Sequence, residues 1–155
     1  LKGLSQKSKY ALRALQRLAR EQGRGPVLIV DLAKQEEIPR KFLEVILLEL
    51  KNHGILASKR GKGGGYALMK EPAQITLGEV IRLFDGSLAP LPCASERAFR
   101  KCDDCHDIAT CGTRLVMREV RDAMAKILDH TTLADLTGRV DVAISEKARE
   151  AMYHI

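Results

Sequence analysis

The first 92 residues contain no cysteine, and all four thiols of the 155-residue chain fall between Cys93 and Cys111. Thiol or soft-metal chemistry is therefore confined to that one short stretch. No apolar run approaches the ~20 residues that cross a bilayer, so a membrane span is not expected. The amino-terminal stretch LKGLSQKSKYALRALQRLAR is basic and amphipathic. It lacks the continuous apolar core and small-residue cleavage site of a secretory signal. An organelle presequence fits its charge, but the first helix of the fold fits its pattern better. Position 1 is Leu, so anything upstream is unread. Hydrophobic residues make up 45% and charged residues 30%, as in ordinary folded proteins, which argues against disorder. The length suits one domain, or a small domain with an extension.

The net charge is +6, and it is unevenly spread. Residues 1–70 hold 15 Lys and Arg against 6 Asp and Glu, whereas residues 71–155 hold 11 against 14. A basic half joined to a mildly acidic half points to a polyanionic partner for the first half. Charge alone does not separate DNA from RNA or an acidic membrane.

Pattern supplies a shape. Over residues 5–21, Tyr10, Ala11, Ala14, Leu15 and Leu18 recur at steps of three and four, which predicts an amphipathic helix. Gly-Arg-Gly at 23–25 and Pro26 end it, and a short β-type run follows at Val27–Ile29. Leu32 and Ala33 then sit on a short helical segment, with a turn at Glu36–Ile38 and Pro39 suited to the first turn of the next helix. That helix is expected to bury Phe42, Leu43, Ile46, Leu47 and Leu50 and to end at Gly54. A short helix, a tight turn and a longer helix with a basic start match helix-turn-helix geometry, and an ordinary helical hairpin fits the same pattern equally well. Arg40, Lys41 and Glu44 would be exposed at the start of the second helix. Arg and Lys donate to guanine edges or phosphates, and Glu accepts from the cytosine amino group.

The next stretch, ILASKRGKGGGYALM at 55–69, tips the balance. Two strand-like runs, 55–60 and 66–69, flank four glycines in five positions. A β-hairpin wing of this kind lies against DNA with the backbone N–H groups of Gly63 and Gly64 near phosphate. Arg60 reaches the minor groove, with Lys62 beside it. A nucleotide phosphate loop would need a helix after the glycines and a Ser or Thr after its Lys. Lys62 precedes glycine and a strand-like run follows, so that reading fails.

In the second half, ITLGEVIRLFDG at 75–86 reads as a helix with Val80, Ile81 and Leu83 inward. GTRLVMREVRDAMAKILD at 112–129 is the longest uninterrupted helical pattern. Val116, Val120, Ala123 and Ile127 form one stripe, with Met117, Met124 and Leu128 beside it. A stripe that wide can face both its own domain and a second copy, and a reader of palindromic DNA needs a two-fold partner. Thr131 or Thr132 can cap a short turn through Leu136. The tail from Arg139 to Ile155 is left open between a final helix and a mobile end.

The cysteines follow the pattern Cys93-x8-Cys102-x2-Cys105-x5-Cys111, with Asp103, Asp104, His106 and Asp107 among them. Stable disulfides do not suit a basic DNA-binding chain in a reducing cytosol. Structural zinc takes four thiolates, but its usual frameworks pair two Cys-x-x-Cys units, and only one occurs here. Iron–sulfur clusters also take thiolates, at looser spacings. A metal-free thiol switch pairing Cys102 with Cys105 is the remaining option. Spacing leaves cluster and zinc evenly matched, with the thiol switch behind them.

LSQKSKYALRAL at 4–15, IPRKFLEVILLELKNHGIL at 38–56, RGKGGGYAL at 60–68 and ITLGEVIRLFDG at 75–86 resemble the bacterial Rrf2 family of transcription regulators. The likeness runs from Leu4 to about Leu136. It implies a mainly α fold with a small β-wing: a winged helix-turn-helix DNA-binding domain plus a long dimerisation helix. It also implies an iron–sulfur cluster, with Cys93, Cys105 and Cys111 as the family's cysteine ligands. IscR-like members add a histidine three positions after the last cysteine, where this chain has Arg114. The first gap is longer than theirs and Cys102 is additional. By that resemblance Cys102 is the replacement fourth ligand, ahead of His106, for a cluster of two or four irons. The same alignment puts Arg40, Lys41 and Glu44 on the recognition helix and Arg60 at the minor-groove arginine of the wing.

The expected organisation is a winged helix-turn-helix domain at 1–86, a cysteine-rich cofactor loop at 87–111, and a dimerisation helix with its tail at 112–155. The expected function is that of a cytoplasmic, homodimeric, sequence-specific regulator of transcription on double-stranded operator DNA. Zinc or a thiol switch in the loop is the alternative. A dithiol redox enzyme is remote, because the lone Cys-x-x-Cys has neither a βαβ setting nor an evident base.

Overall fold

The computed structural model describes residues 3–154. Leu1, Lys2 and Ile155, the outermost residues of the amino-terminal stretch and the tail, lie outside them. Helix α1, Gln6–Arg20, starts where the Ser5 side chain accepts the Ser8 N–H at 3.1 Å. Its inner face buries Ala11, Ala14, Leu15 and Leu18, as the periodicity expects, while Tyr10 is half-buried.

Helix α2, Ile29–Glu36, takes most of the expected β-type run. Leu28 occupies its N-cap and accepts the Leu32 N–H at 3.0 Å, so only Val27 remains for pairing. Val27 exchanges two 2.8 Å backbone hydrogen bonds with Tyr66. The β-branched Val27 and Ile29 signal a strand, but α2 claims the backbone of Leu28 and Ile29. The turn passes through Glu37 at φ 53°, in the left-handed region. Arg13 donates to the preceding carbonyl, that of Glu36, and Arg17 Nε pairs with the Glu36 carboxylate at 2.7 Å.

Helix α3, Arg40–Asn52, follows with Pro39 at its N-cap rather than within its first turn. Leu43, Ile46, Leu47 and Leu50 are fully buried. Phe42, expected to be buried with them, is 38% exposed. It lies at the border of the apolar face and meets the Tyr10 ring edge-on, with centroids 5.5 Å apart. Gly54 ends the helix with a φ of 73°, where a side chain would be strained.

Strands β1, Leu56–Lys59, and β2, Gly65–Leu68, form an antiparallel hairpin in which Leu56 faces Leu68 and Lys59 faces Gly65. A Cβ on Gly65 would run into the Val27 carbonyl, so glycine there lets the α1–α2 connection lie against the hairpin. Helix-turn-helix and hairpin share one core, joined by Ile75, by Val80 of α4 (Leu77–Asp85) and by Leu133 of α6 (Leu133–Tyr153). Chain 75–77 pairs with chain 131–133 through Leu77 N–H to the Thr131 carbonyl and Leu133 N–H to the Ile75 carbonyl, both 2.9 Å. The arrangement is a winged helix-turn-helix.

Helix α5, Gly112–Leu128, buries only Arg121. Val116 and Ile127 of its apolar stripe are 54% and 62% exposed. α6 is longer than α5, 21 residues against 17, and settles the tail as helix through Tyr153. Its start is a capping box between Thr132 and Asp135. From residue 141 onward it is exposed all round, which is why its sequence shows no clear stripe.

Candidate functional site

Two groups of the expected site residues fall on two exposed features of the winged domain. Arg40, Lys41 and Glu44 project from the first turns of α3, all exposed, and Arg40 Nε lies 3.3 Å from Glu44. An exposed i, i+4 pair of this kind contributes little, about 0.3–0.5 kcal/mol. It leaves both groups available to exchange each other for a base edge or a phosphate. Lys7 pairs with Glu49 at 2.8 Å, and Tyr10 meets Phe42, so α1 grips one flank of α3 and holds it in place.

Arg60, Lys62 and Gly63 are exposed at the hairpin tip. Gly64 is buried: its N–H donates to the Gly61 carbonyl at 3.0 Å, and a Cβ there would strike the Lys59 carbonyl. This glycine closes the tip tightly, and the amide is already engaged within the loop.

The four cysteines form a separate site, where the loop meets the amino end of α5. Cys93 sits on a single 3-10 turn, Pro92–Ala94, and is buried; Cys102 and Cys105 come from the loop and Cys111 caps α5. All four line one cavity of about 400 Å³, together with Leu91, Asp104, His106, Asp107, Thr110, Thr113 and Arg114. All four are free thiols. Cys93 and Cys102 lie 3.8 Å apart between sulfurs, close enough for a thiol hydrogen bond. The hydrogen bond to Cys93 holds the Cys102 thiol above its ordinary value, with desolvation and the charges of Cys93, Asp104 and Cys105 acting in the same direction.

The donor chemistry suits a thiophilic metal centre. Two thiolates on one tetrahedral ion with bonds of about 2.3 Å lie about 3.8 Å apart, the separation of Cys93 from Cys102. Among the described residues, however, no three His, Cys, Asp or Glu side chains converge on one point. Cys105 and Cys111 share the cavity with that pair without closing on it.

Two arginines of α5, two turns apart, bind the loop to the helix. Arg114 Nε donates to the Cys93 carbonyl at 2.8 Å and its Nη1 to the Ile108 carbonyl at 3.4 Å. Its guanidinium also lies 6.0 Å from the Phe99 ring centroid. Arg121, buried, donates to the Ala94 carbonyl at 2.5 Å and pairs with Asp122 and Glu96. The family resemblance singled out Arg114 only as a residue unable to ligate, and Arg121 went unremarked. Their i, i+7 spacing on the polar face of this amphipathic helix was the available signal.

Comparison with known proteins agrees with this geometry. The profile of the Rrf2 family, described as an iron-dependent transcriptional regulator, matches residues 4–139. An rrf2-like protein of Rhodobacter capsulatus is 44% identical over 136 residues, covering 86% of this chain and 91% of its own. The HTH-type transcriptional regulator CymR of Bacillus subtilis is 32% identical over 138 residues, covering 89% and 91%. The solved structure of CymR, called there the global cysteine regulator of B. subtilis, superposes with a TM-score of 0.74 over 90% of this chain and 98% of that one. T. potens IscR superposes at 0.71 with 31% identity, over 92% and 90%. These relatives are regulators of transcription rather than enzymes, and the chain belongs to the Rrf2 family of DNA-binding transcriptional regulators.

Proposed function

We propose that this regulator works as a homodimer whose Cys93–Cys111 loop carries an iron–sulfur cluster, and that the state of this cofactor sets its affinity for an operator. The observation that carries the reading is the gathering of all four cysteines around one cavity beside α5. Cys93, Cys105 and Cys111 would hold the group, with Cys102 as the fourth ligand in place of the family histidine. Arg114 stands at the histidine position and donates to two carbonyls, so it cannot ligate. The iron dependence by which the family is described supports iron over zinc. When bound, the cluster supplies a redox-active iron–sulfide centre at the foot of α5.

The chain's own residues supply the rest. Arg114 and Arg121 fasten the backbone of 93–94 and of Ile108 to α5, so a rearrangement of the thiols is felt by that helix. The exposed stripe of α5, with Val116 and Ile127, supports its use as the dimer seam. A change at the seam alters the separation of two recognition helices, which must match half-sites about one helical turn apart. Arg40, Lys41 and Glu44 would meet the major groove. Arg60 and Lys62 would meet the minor groove and phosphate, with Gly63 and Gly64 shaping the wing. The organisation into a winged domain to residue 86, a cofactor loop at 87–111 and a dimer helix with tail from 112 belongs to the same reading. So does a cytoplasmic location; among the described residues no helix is long and apolar enough to cross a membrane.

A second reading keeps the DNA binding and makes the loop a zinc site or a thiol switch. The 3.8 Å separation of Cys93 and Cys102 favours it, since it suits one ion and is a short approach for a disulfide. Anaerobic gel shifts on a duplex selected from a random pool, before and after chelation of iron, test the proposal. Affinity should change tenfold or more on stripping, about 1.4 kcal/mol. Equal affinities would contradict cofactor control.

A further inference from the structure

The face of α3 turned away from the core is partly apolar. At about 100° per residue, Leu43, Ile46, Leu47 and Leu50 point inward, and the residues opposite them are Lys41, Glu44, Val45 and Leu48. These four stand at i, i+3, i+4 and i+7, the spacing at which a homeodomain recognition helix presents side chains to base edges. Val45 is 47% exposed and Leu48 is 52% exposed. α1 meets the adjacent flank through Lys7–Glu49 and Tyr10–Phe42 and leaves Val45 and Leu48 about half exposed beside it.

We infer that Val45 and Leu48 are specificity residues that read thymine methyl groups in the major groove. The inference rests on the assignment of α3 as the recognition helix. Three observations favour DNA as the occupant of this apolar strip. It is continuous with Lys41 and Glu44, which are suited to base edges. It lies in the half of the chain with 15 cations against 6 anions. The apolar surface suited to a second protein copy lies elsewhere, on α5. In the major groove, the only apolar mark of sequence is the C5 methyl of thymine, and aliphatic side chains contact it. Lys41 and Glu44 in the same strip select guanine or phosphate and cytosine. The helix thus has partners for G·C pairs through its polar members and for A·T pairs through its aliphatic ones.

The test uses the full chain, purified without oxygen, and a duplex selected by it from a random pool. Each thymine of the selected duplex is replaced singly by deoxyuridine, which removes only the methyl. At one or more positions in each half-site the uracil duplex should bind about three- to fivefold more weakly, the scale of one buried methyl. Val45→Ala or Leu48→Ala should lower affinity for the thymine duplex and abolish its advantage over the uracil duplex at that position. Both positions are exposed, so the variants should retain the wild-type circular dichroism and Tm. Indifference to every methyl, with Arg60→Ala and Lys41→Ala still weakening binding, would overturn the inference while leaving the recognition helix in place. Loss of binding to none of these variants would instead remove α3 and the wing from the interface. A change of oligomeric state on Leu48→Ala, with methyl preference intact, would assign the strip to a protein contact and also overturn the proposal.

Discussion

At the level of single residues the cysteine site turns on Cys102. Its sulfur is 3.8 Å from Cys93, whereas His106 is an exposed member of the same cavity wall. Cys102→Ser should therefore reduce the iron bound per chain at least twofold and weaken the visible absorbance, while His106→Ala should leave both unchanged. Iron analysis of the two variants, purified in parallel without oxygen, decides between them; the reverse pattern would make histidine the ligand. Much of this site was legible in the sequence. Four cysteines crowded into one stretch announce a thiol site. The approach of Cys102 to Cys93 was not legible, because the Cys-x-x-Cys spacing draws attention to Cys105 instead. A loop brings residues together by its path, and the 3-10 turn at Pro92–Ala94 with its two arginine tethers carries Cys93 to Cys102.

At the level of elements the turn between α2 and α3 stores a local cost. Glu37 is the one non-glycine among the described residues with positive φ, and the left-handed conformation costs an L-residue about 1–2 kcal/mol. Replacement by Gly removes that cost at some expense in chain entropy, so Glu37→Gly should stabilise the fold by about 0.5–1 kcal/mol in urea unfolding. A destabilised variant would show that the Glu37 side chain contributes more than its backbone costs. The second element-level contact is the Arg82–Asp129 pair, in which two hydrogen bonds of 2.5 and 2.9 Å tie α4 to the end of α5. The Arg82 hydrogen bond holds the Asp129 carboxyl below its usual range. A depressed carboxylate contributes stability that is fully present above its unfolded value, about pH 3.9. That contribution is lost as pH falls through the lower folded value. Asp129→Asn should thus be less stable than the parent at neutral pH, and urea midpoints of the two should converge as pH falls through the lowered folded value. A gap that persists in acid would assign the loss to packing beside Gly78, where the Asp129 carboxylate lies against the backbone. The helices themselves were readable because α1, α3 and α4 each bury a stripe at steps of three and four. Val27–Ile29 misled because β-branched residues favour strands, yet the backbone of Leu28 opens α2. The carboxyl-terminal half of α6 was unreadable from periodicity because no face of it is buried in the chain.

For the whole molecule the winged domain and α5 have different surfaces. The core of the winged half takes in Leu133 of α6, whereas the apolar stripe of α5 leaves Val116 and Ile127 open to solvent. A second copy placed along α5 would cover that strip and bring two recognition helices into fixed register. A charge in the strip should prevent this: Ile127→Glu should shift the protein from dimer to monomer in sedimentation. It should also lower operator affinity at least tenfold while preserving helix content. A variant that remains dimeric and binds normally would place the seam elsewhere. In the proposed homodimer the cysteine loop would hold an iron–sulfur cluster. The most direct test is the visible absorption spectrum of protein purified without oxygen, taken with iron, sulfide and zinc analysis of the same sample. The expected result is a brown protein with visible bands and iron and sulfide in matching, stoichiometric amounts. A colourless protein carrying one zinc, or no metal even after anaerobic reconstitution, would contradict it.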